Sequence, residues 1–229
     1  MKLTSNFKII PVLDIMHGRA VHAVRGERHR YRELKSVFAK SSSPVEIARN
    51  LPYPELYVAD LDAIMHSSPN LEVLEKLASL KKVLLDYGVR SEDELELALR
   101  LGCIPVIGTE TAQSIEVFEA GIAKWGDELF ASLDVKDRRV LSPFLPASPV
   151  DAFKVLEKVG VRRIIYLDLS RVGTLNSVSW EILKKINKQK KEKTRLYAAG
   201  GIKKEDLPGL RSLGISGVLI GTALHQGML

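Results

Sequence analysis

Eight short apolar runs punctuate this chain, and helical patterns fall between them. The runs cover residues 8–13, 56–61, 83–87, 105–108, 129–133, 163–169, 196–199 and 217–221. Most are continuous rather than alternating, which is the pattern of parallel strands buried on both faces. The intervening helices carry start signals. Pro44 follows a serine run that supplies an N-cap, Ser148-Pro149 repeats the arrangement, and Ser91-Glu92-Asp93-Glu94 has the Ser-x-x-Glu spacing of a capping box. Strand-helix alternation repeated eight times in 229 residues predicts an α/β chain folded as a single (β/α)8 TIM barrel, with residues 1–229 as one domain. The residues after the eighth run leave the last helix short or missing.

The runs are related in pairs. Pro11-Val12-Leu13-Asp14 and Ala131-Ser132-Leu133-Asp134 each end an apolar strand in Leu-Asp, with an aliphatic residue, a short turn and an Arg to follow. Their aspartates lie 134 − 14 = 120 residues apart, about half the chain. Ala59-Asp60-Leu61 matches Leu167-Asp168-Leu169, and Val106-Ile107-Gly108-Thr109 matches Leu219-Ile220-Gly221-Thr222. Gly88-Val89-Arg90 matches Gly201-Ile202-Lys203. Four matches in one order predict two duplicated half-barrels.

A net charge of +6 says little about fold but suits an anionic ligand such as a phosphate ester. The most basic stretch, 184–193, ends a predicted helix, where cations favour the helix C-terminus and a solvated face. Aromatic residues make up only 6% and do not interleave with Lys and Arg, so nucleic acid is not expected as a partner. Cys103 is the only cysteine, and it reads as a small buried hydrophobe rather than a nucleophile. Met1–Asn6 lacks the apolar core of a signal peptide, and no apolar run reaches the ~18 residues of a membrane span. The expected location is therefore cytoplasmic, away from membranes.

In a TIM barrel the active site gathers at the C-terminal ends of the strands. Asp14 and Asp134 end the first and fifth strands, which face each other. A substrate held between them could be protonated on one side and deprotonated on the other. Asp60 and Asp168 also end strands and are weaker candidates for touching a ligand. Gly200-Gly201 and Gly221-Thr222 follow the seventh and eighth strands, where loops of this fold often bind phosphate through backbone N–H groups.

These motifs together resemble the histidine-biosynthesis barrel family from about residue 9 to 227, and its ProFAR isomerase branch more than its cyclase branch. The carriers are Leu13-Asp14 with Gly18-Arg19-Ala20-Val21, Ala59-Asp60-Leu61-Asp62, Gly88-Val89-Arg90-Ser91 and Leu133-Asp134. Asp168-Leu169-Ser170-Arg171 with Gly173-Thr174, Ala199-Gly200-Gly201 and Ile220-Gly221-Thr222 complete them. The resemblance implies an aminoaldose-to-aminoketose isomerase working by an Amadori rearrangement. It assigns Asp14 and Asp134 as the acid/base pair, assisted by Thr174, with Gly200, Gly201, Gly221 and Thr222 on a phosphate. Asp60, Asp168, Arg90 and Gly173 are candidate substrate contacts. No metal or organic cofactor is needed for that chemistry.

The chain departs from the family pattern at two places. Asp86-Tyr87-Gly88 stands where the family carries three glycines, bringing charge and bulk toward the first phosphate site, and Val172 stands where the family has Asp. These departures point to a diverged paralogue whose ligand is a small metabolite with a single phosphate, or one whose second end is not phosphate. The alternatives are an enzyme acting on a different phosphorylated compound, or a barrel that binds a ligand without catalysis. The short last helix would leave the first and seventh helices less covered, so a second copy of the chain is an expected partner.

Overall fold

The computed structural model describes residues 7–229, so the expectation for Met1–Asn6 lies outside the described residues. Eight parallel strands form the barrel: β1 (Lys8–Met16), β2 (Glu55–Asp60), β3 (Lys82–Asp86), β4 (Ile104–Gly108), β5 (Phe130–Lys136), β6 (Arg163–Asp168), β7 (Arg195–Ala199) and β8 (Gly217–Ile220). Each pairs with the next in sequence, and β8 closes the ring on β1 with Lys8 opposite Gly217 and Pro11 opposite Ile220. Around it lie α1 (Pro44–Asn50), α2 (Leu61–His66), α3 (Leu71–Leu80), α4 (Glu96–Arg100), α5 (Glu116–Trp125), α6 (Pro149–Val159), α7 (Trp180–Gln189), α8 (Asp206–Leu213) and the one-turn α9 (Thr222–His225). All eight predicted strands are present, and the last helix is short as expected.

The apolar residues divide into two cores, as the two-residue period of a strand requires. Leu13, Val58, Leu85, Ile107, Leu133, Tyr166 and Val218 face the helices. Ile10, Tyr57, Ala59, Leu84, Val106, Phe130, Ile165, Tyr197 and Leu219 fill the barrel interior. Low in the barrel the rings of Phe130 and Tyr197 pack with centroids 5.1 Å apart, and the Arg163 guanidinium lies 5.3 Å from the Phe130 centroid. The interior is therefore filled at that end.

The duplication appears in the backbone. After β1 the chain reverses through His17 and Gly18 into an antiparallel strand, Arg19–His22, with Met16 opposite Arg19. After β5 it reverses through Asp137 and Arg138, with Lys136 opposite Arg139. All four turn residues have positive φ (52°, 72°, 50° and 65°), the signature of a type I′ turn. Gly18 and Arg138 lie 138 − 18 = 120 residues apart, the spacing of the two aspartates.

Ser43 and Ser148 cap α1 and α6 through their hydroxyls, each with Pro at the first helical turn. The capping box expected at Ser91 does not form. A 3-10 turn at Asp93–Leu95 precedes α4 with no side-chain cap, so the Ser91 hydroxyl accepts no cap bond, and Glu94 Oε2 accepts instead from the backbone N–H of Arg90 at 2.6 Å. The short α9 is fixed by His225. Its Nε2 lies 2.9 Å from the carbonyl of Val12, which can only accept, so Nε2 donates and Nδ1 is left to accept from Ser36 Oγ at 3.0 Å.

No helix among the described residues is long and apolar enough to cross a membrane.

Candidate active site

At the C-terminal end of the strands the barrel opens into a cavity of about 200 Å3. Strand parity decides which strand-end residues reach it. Val12, Leu84 and Phe130 point inward, so Asp14, Asp86 and Asp134 do too, and all three line the cavity. Tyr57 and Ala59 point inward on β2, which turns Asp60 outward, and Leu167 does the same for Asp168. Asp60 is fully buried, but it caps α2 through Ala63 N at 3.2 Å and accepts twice from Asn70 at 2.7 Å. Asp168 accepts from Ser170 N and Ser179 Oγ and forms an ion pair with Arg171 at 3.3 Å. Neither lines the cavity.

The three inward carboxyls differ in their partners. Asp134 Oδ1 accepts from Ser132 Oγ at 2.6 Å and Oδ2 from the Glu110 N–H at 3.0 Å. Burial, reinforced by the charge of Asp86, still pushes its pKa up to about 8 against these bonds. Asp86 accepts from the Tyr57 hydroxyl at 2.9 Å and the Gly88 N–H at 3.2 Å, and burial holds it up to about 6. Among the described residues Asp14 has no hydrogen-bonding partner of this kind, and burial together with Asp86 pushes it up to about 7. Near neutral pH the cluster therefore holds protons, and its carboxyls sit in unlike environments. Gly108 makes the arrangement possible, because a Cβ there would lie 3.0 Å from Asp134 Oδ2 and 3.8 Å from Asp86 Oδ2.

On the opposite side, Gly173, Gly200, Gly201, Gly221 and Thr222 line the cavity. The backbone N–H groups of Gly200, Gly201 and Gly221 donate to no backbone carbonyl among the described residues. Gly200 (φ 97°) must be glycine, since a Cβ would meet the Asp168 carbonyl oxygen at 2.4 Å. At Gly221 a Cβ would meet only Val12 at 3.7 Å, so the missing side chain leaves the cavity open rather than relieving a clash. His22 reaches this wall, with Nε2 3.1 Å from Thr222 Oγ1, and burial lowers its pKa, which favours the neutral ring.

The loop after Arg19–His22 folds over the mouth. Arg25 N donates to Val172 O at 3.0 Å, and Arg28 pairs with Glu110 at 3.3 Å. Tyr31 lines the cavity near Asp14, and burial raises its pKa. Tyr57, Tyr31, Arg28 and Glu110 are wall residues that the sequence motifs did not single out. The inward parity of Tyr57 was their one readable signal.

Several expectations are corrected. Thr174 does not line the cavity, and its hydroxyl donates to the Arg171 carbonyl at 2.7 Å. Arg90 points away, bound to the carbonyls of Gly88 and Ile64. Tyr87 brings no bulk to the cavity, because the residue after an inward Asp86 must point outward. Its ring packs among the helices with its hydroxyl on Glu94 O at 2.8 Å. Among the described residues no group of three or more His, Cys, Asp or Glu side chains is gathered so as to hold a metal ion.

A family described as histidine biosynthesis protein matches residues 8–229. An uncharacterized protein of Methanocaldococcus jannaschii is 34% identical over 97% of this chain and 95% of its own length. The 1-(5-phosphoribosyl)-5-((5-phosphoribosylamino)methylideneamino) imidazole-4-carboxamide isomerase of Listeria monocytogenes is 31% identical over 96% and 93%, and that of Flavobacterium johnsoniae 28% over 97% and 95%. The solved thiamine phosphate pyrophosphorylase from Pyrococcus furiosus shares the fold, with a TM-score of 0.56 at 16% identity over 97% of this chain and 89% of that one.

Proposed function

The chain belongs to the histidine biosynthesis protein family, and from that premise we propose that it is an aminoaldose-to-aminoketose isomerase. The observation that carries this reading is the pair of unlike carboxyls in one cavity, Asp14 without a hydrogen-bonding partner and Asp134 clamped by Ser132 and Glu110. Proton transfer to one atom and from another needs such a pair, with pKa values near the working pH. Asp134 is the acid. It protonates the ring oxygen of a ribosylamine, and the C1–O bond breaks as the amine nitrogen lone pair forms a C=N bond. Asp14, ionised, removes the proton from C2, and the C–H electrons move into the C1–C2 bond to give an enolamine. Loss of the C2 hydroxyl proton and gain of a proton at C1 complete the aminoketose. The reaction is an internal redox shift and needs no outside oxidant or reductant.

The phosphate of the substrate lies against Gly200, Gly201, Gly221 and Thr222. Free N–H groups and the absence of acidic side chains support that end. Gly173 borders it.

The test is turnover of ribosylamine 5-phosphates in D2O followed by NMR. The expected result is loss of the C1 aldose signal with deuterium incorporated at C1 of the ketose. Retention of every aldose tried, with the protein folded, would remove the isomerase reading.

A further inference from the structure

The two walls of the cavity differ in charge. The wall built from the loops after β6, β7 and β8 carries glycines and Thr222. The wall built from β1, β3, β5 and the loop after β4 carries Asp14, Asp86, Asp134 and Glu110. Among the cations near the acidic wall, only Lys136, two residues past Asp134 on β5, lines the cavity without an ion pair among the described residues. Arg28 is paired with Glu110, and the Arg90 guanidinium is held by two backbone carbonyls. Asp86 is 8% exposed and has only neutral donors, the Tyr57 hydroxyl and the Gly88 N–H. A buried carboxylate with no ion-pair partner is costly, and the Arg28 charge that acts on Asp86 is shared with Glu110. Beside Asp86, Gly108 carries no side chain, and a Cβ there would lie 3.0 Å from Asp134 Oδ2 and 3.8 Å from Asp86 Oδ2.

We propose that the substrate is dipolar: a phosphate monoester held at Gly200, Gly201, Gly221 and Thr222, with a protonated amine at its far end seated on Asp86 beside Gly108. Asp86 is then a specificity-determining residue. It selects an ammonium and disfavours a second phosphate, which would meet the carboxyl groups of Asp14, Asp86 and Asp134. The inference rests on the phosphate end of the functional reading above, but not on turnover.

The test is calorimetric binding to the intact chain of three probe series of graded chain length: alkyl phosphates, ω-aminoalkyl phosphates and alkane bisphosphates. The best aminoalkyl phosphate should bind at least about tenfold more tightly than the alkyl phosphate of equal length, the effect of one partly desolvated charge pair. Asp86→Asn should reduce that ratio to about one. Tyr57→Phe, which keeps the carboxylate, should retain it. Bisphosphates binding more tightly than aminoalkyl phosphates to the unaltered protein would overturn the proposal, as would an unchanged ratio in Asp86→Asn. The comparison on the unaltered protein decides the matter even if a variant fails to fold. Amine selectivity without isomerisation would remove the isomerase reading alone, and isomerisation of a bisphosphate without amine selectivity would remove this inference alone.

Discussion

Three aspartates line one cavity, and in the proposed isomerase reaction two of them, Asp14 and Asp134, exchange protons, so their protonation sets its pH range. Asp14 must be ionised to take a proton and Asp134 protonated to give one. The kcat/KM profile should therefore rise with an apparent pKa near 7 and fall with one near 8, values that belong to the coupled cluster. Asp86→Asn removes the charge that raises both, so both limbs should move to lower pH. Asp14→Asn and Asp134→Asn should each lower kcat by about 10²–10⁴-fold, because Asn keeps the shape but cannot exchange a proton. Unchanged rates would make the pair structural. Asp14 also makes a prediction about stability. Its folded pKa, about 7, lies above the ordinary 3.8, so the folded state binds the proton more tightly. That contribution is fully present below pH 4 and lost as the pH rises through 7. Asp14→Asn should match the unaltered protein in acid and exceed it by about 1–3 kcal/mol at pH 8–9. Urea unfolding at both pH values measures the difference, and equal stability at pH 9 would show that Asp14 is well solvated.

The loops between elements decide which glycines the fold needs and which the site needs. Gly200→Ala places a Cβ 2.4 Å from a backbone oxygen at φ 97°, so the loop must shift. It should cost about 2 kcal/mol or more and weaken phosphate binding. Gly221→Ala has room for the Cβ and should leave the melting temperature near that of the unaltered protein while weakening phosphate. A joint measurement of thermal unfolding and phosphate affinity separates the two. Equal destabilisation by both would mean that Gly221 is structural as well. At this scale the sequence was readable wherever a signal was local. The Ser-Pro starts of α1 and α6 form as expected, since a hydroxyl cap and a proline at the first turn need no partner from elsewhere. The Ser91 box does not form because the Arg90 guanidinium is drawn to the Ile64 carbonyl in α2 and Glu94 accepts from the Arg90 N–H. The first of these contacts joins residues 26 positions apart.

For the molecule as a whole, the short last helix was the reason to expect a second copy of the chain. Neither α1 nor α7 carries an exposed large apolar side chain among the described residues. Pro44, Ile47, Ile182, Leu183 and Ile186 are buried, and His225 ties α9 to β1. Leu71, Leu80 and Leu99 are exposed on other helices, and near α9 the exposed apolar side chains are Val37 and Met228, 63% and 51% exposed, with Gly227 beside Val37. A patch of two side chains is small for a stable interface. Light scattering should therefore give the mass of one chain, 25.4 kDa, at high protein concentration. Twice that mass would show that the patch is enough.

The sequence by itself determined the eight strands, their order, the half-barrel duplication and the two opposed aspartates, because each follows from a two-residue period, a repeated motif or a fixed place at a strand end. The inward parity of Asp86 and the outward parity of Tyr87 were also present in it, though the family pattern drew attention to their bulk and charge instead. Only the tertiary structure decided that Thr174, Arg90, Asp60 and Asp168 bind the protein's own backbone and side chains rather than face the cavity. It alone showed that Tyr57 donates to Asp86, and that Arg28 and Glu110 meet across the mouth. Those contacts join residues 29 and 82 positions apart, and no local pattern encodes a partner that closure of the barrel brings near.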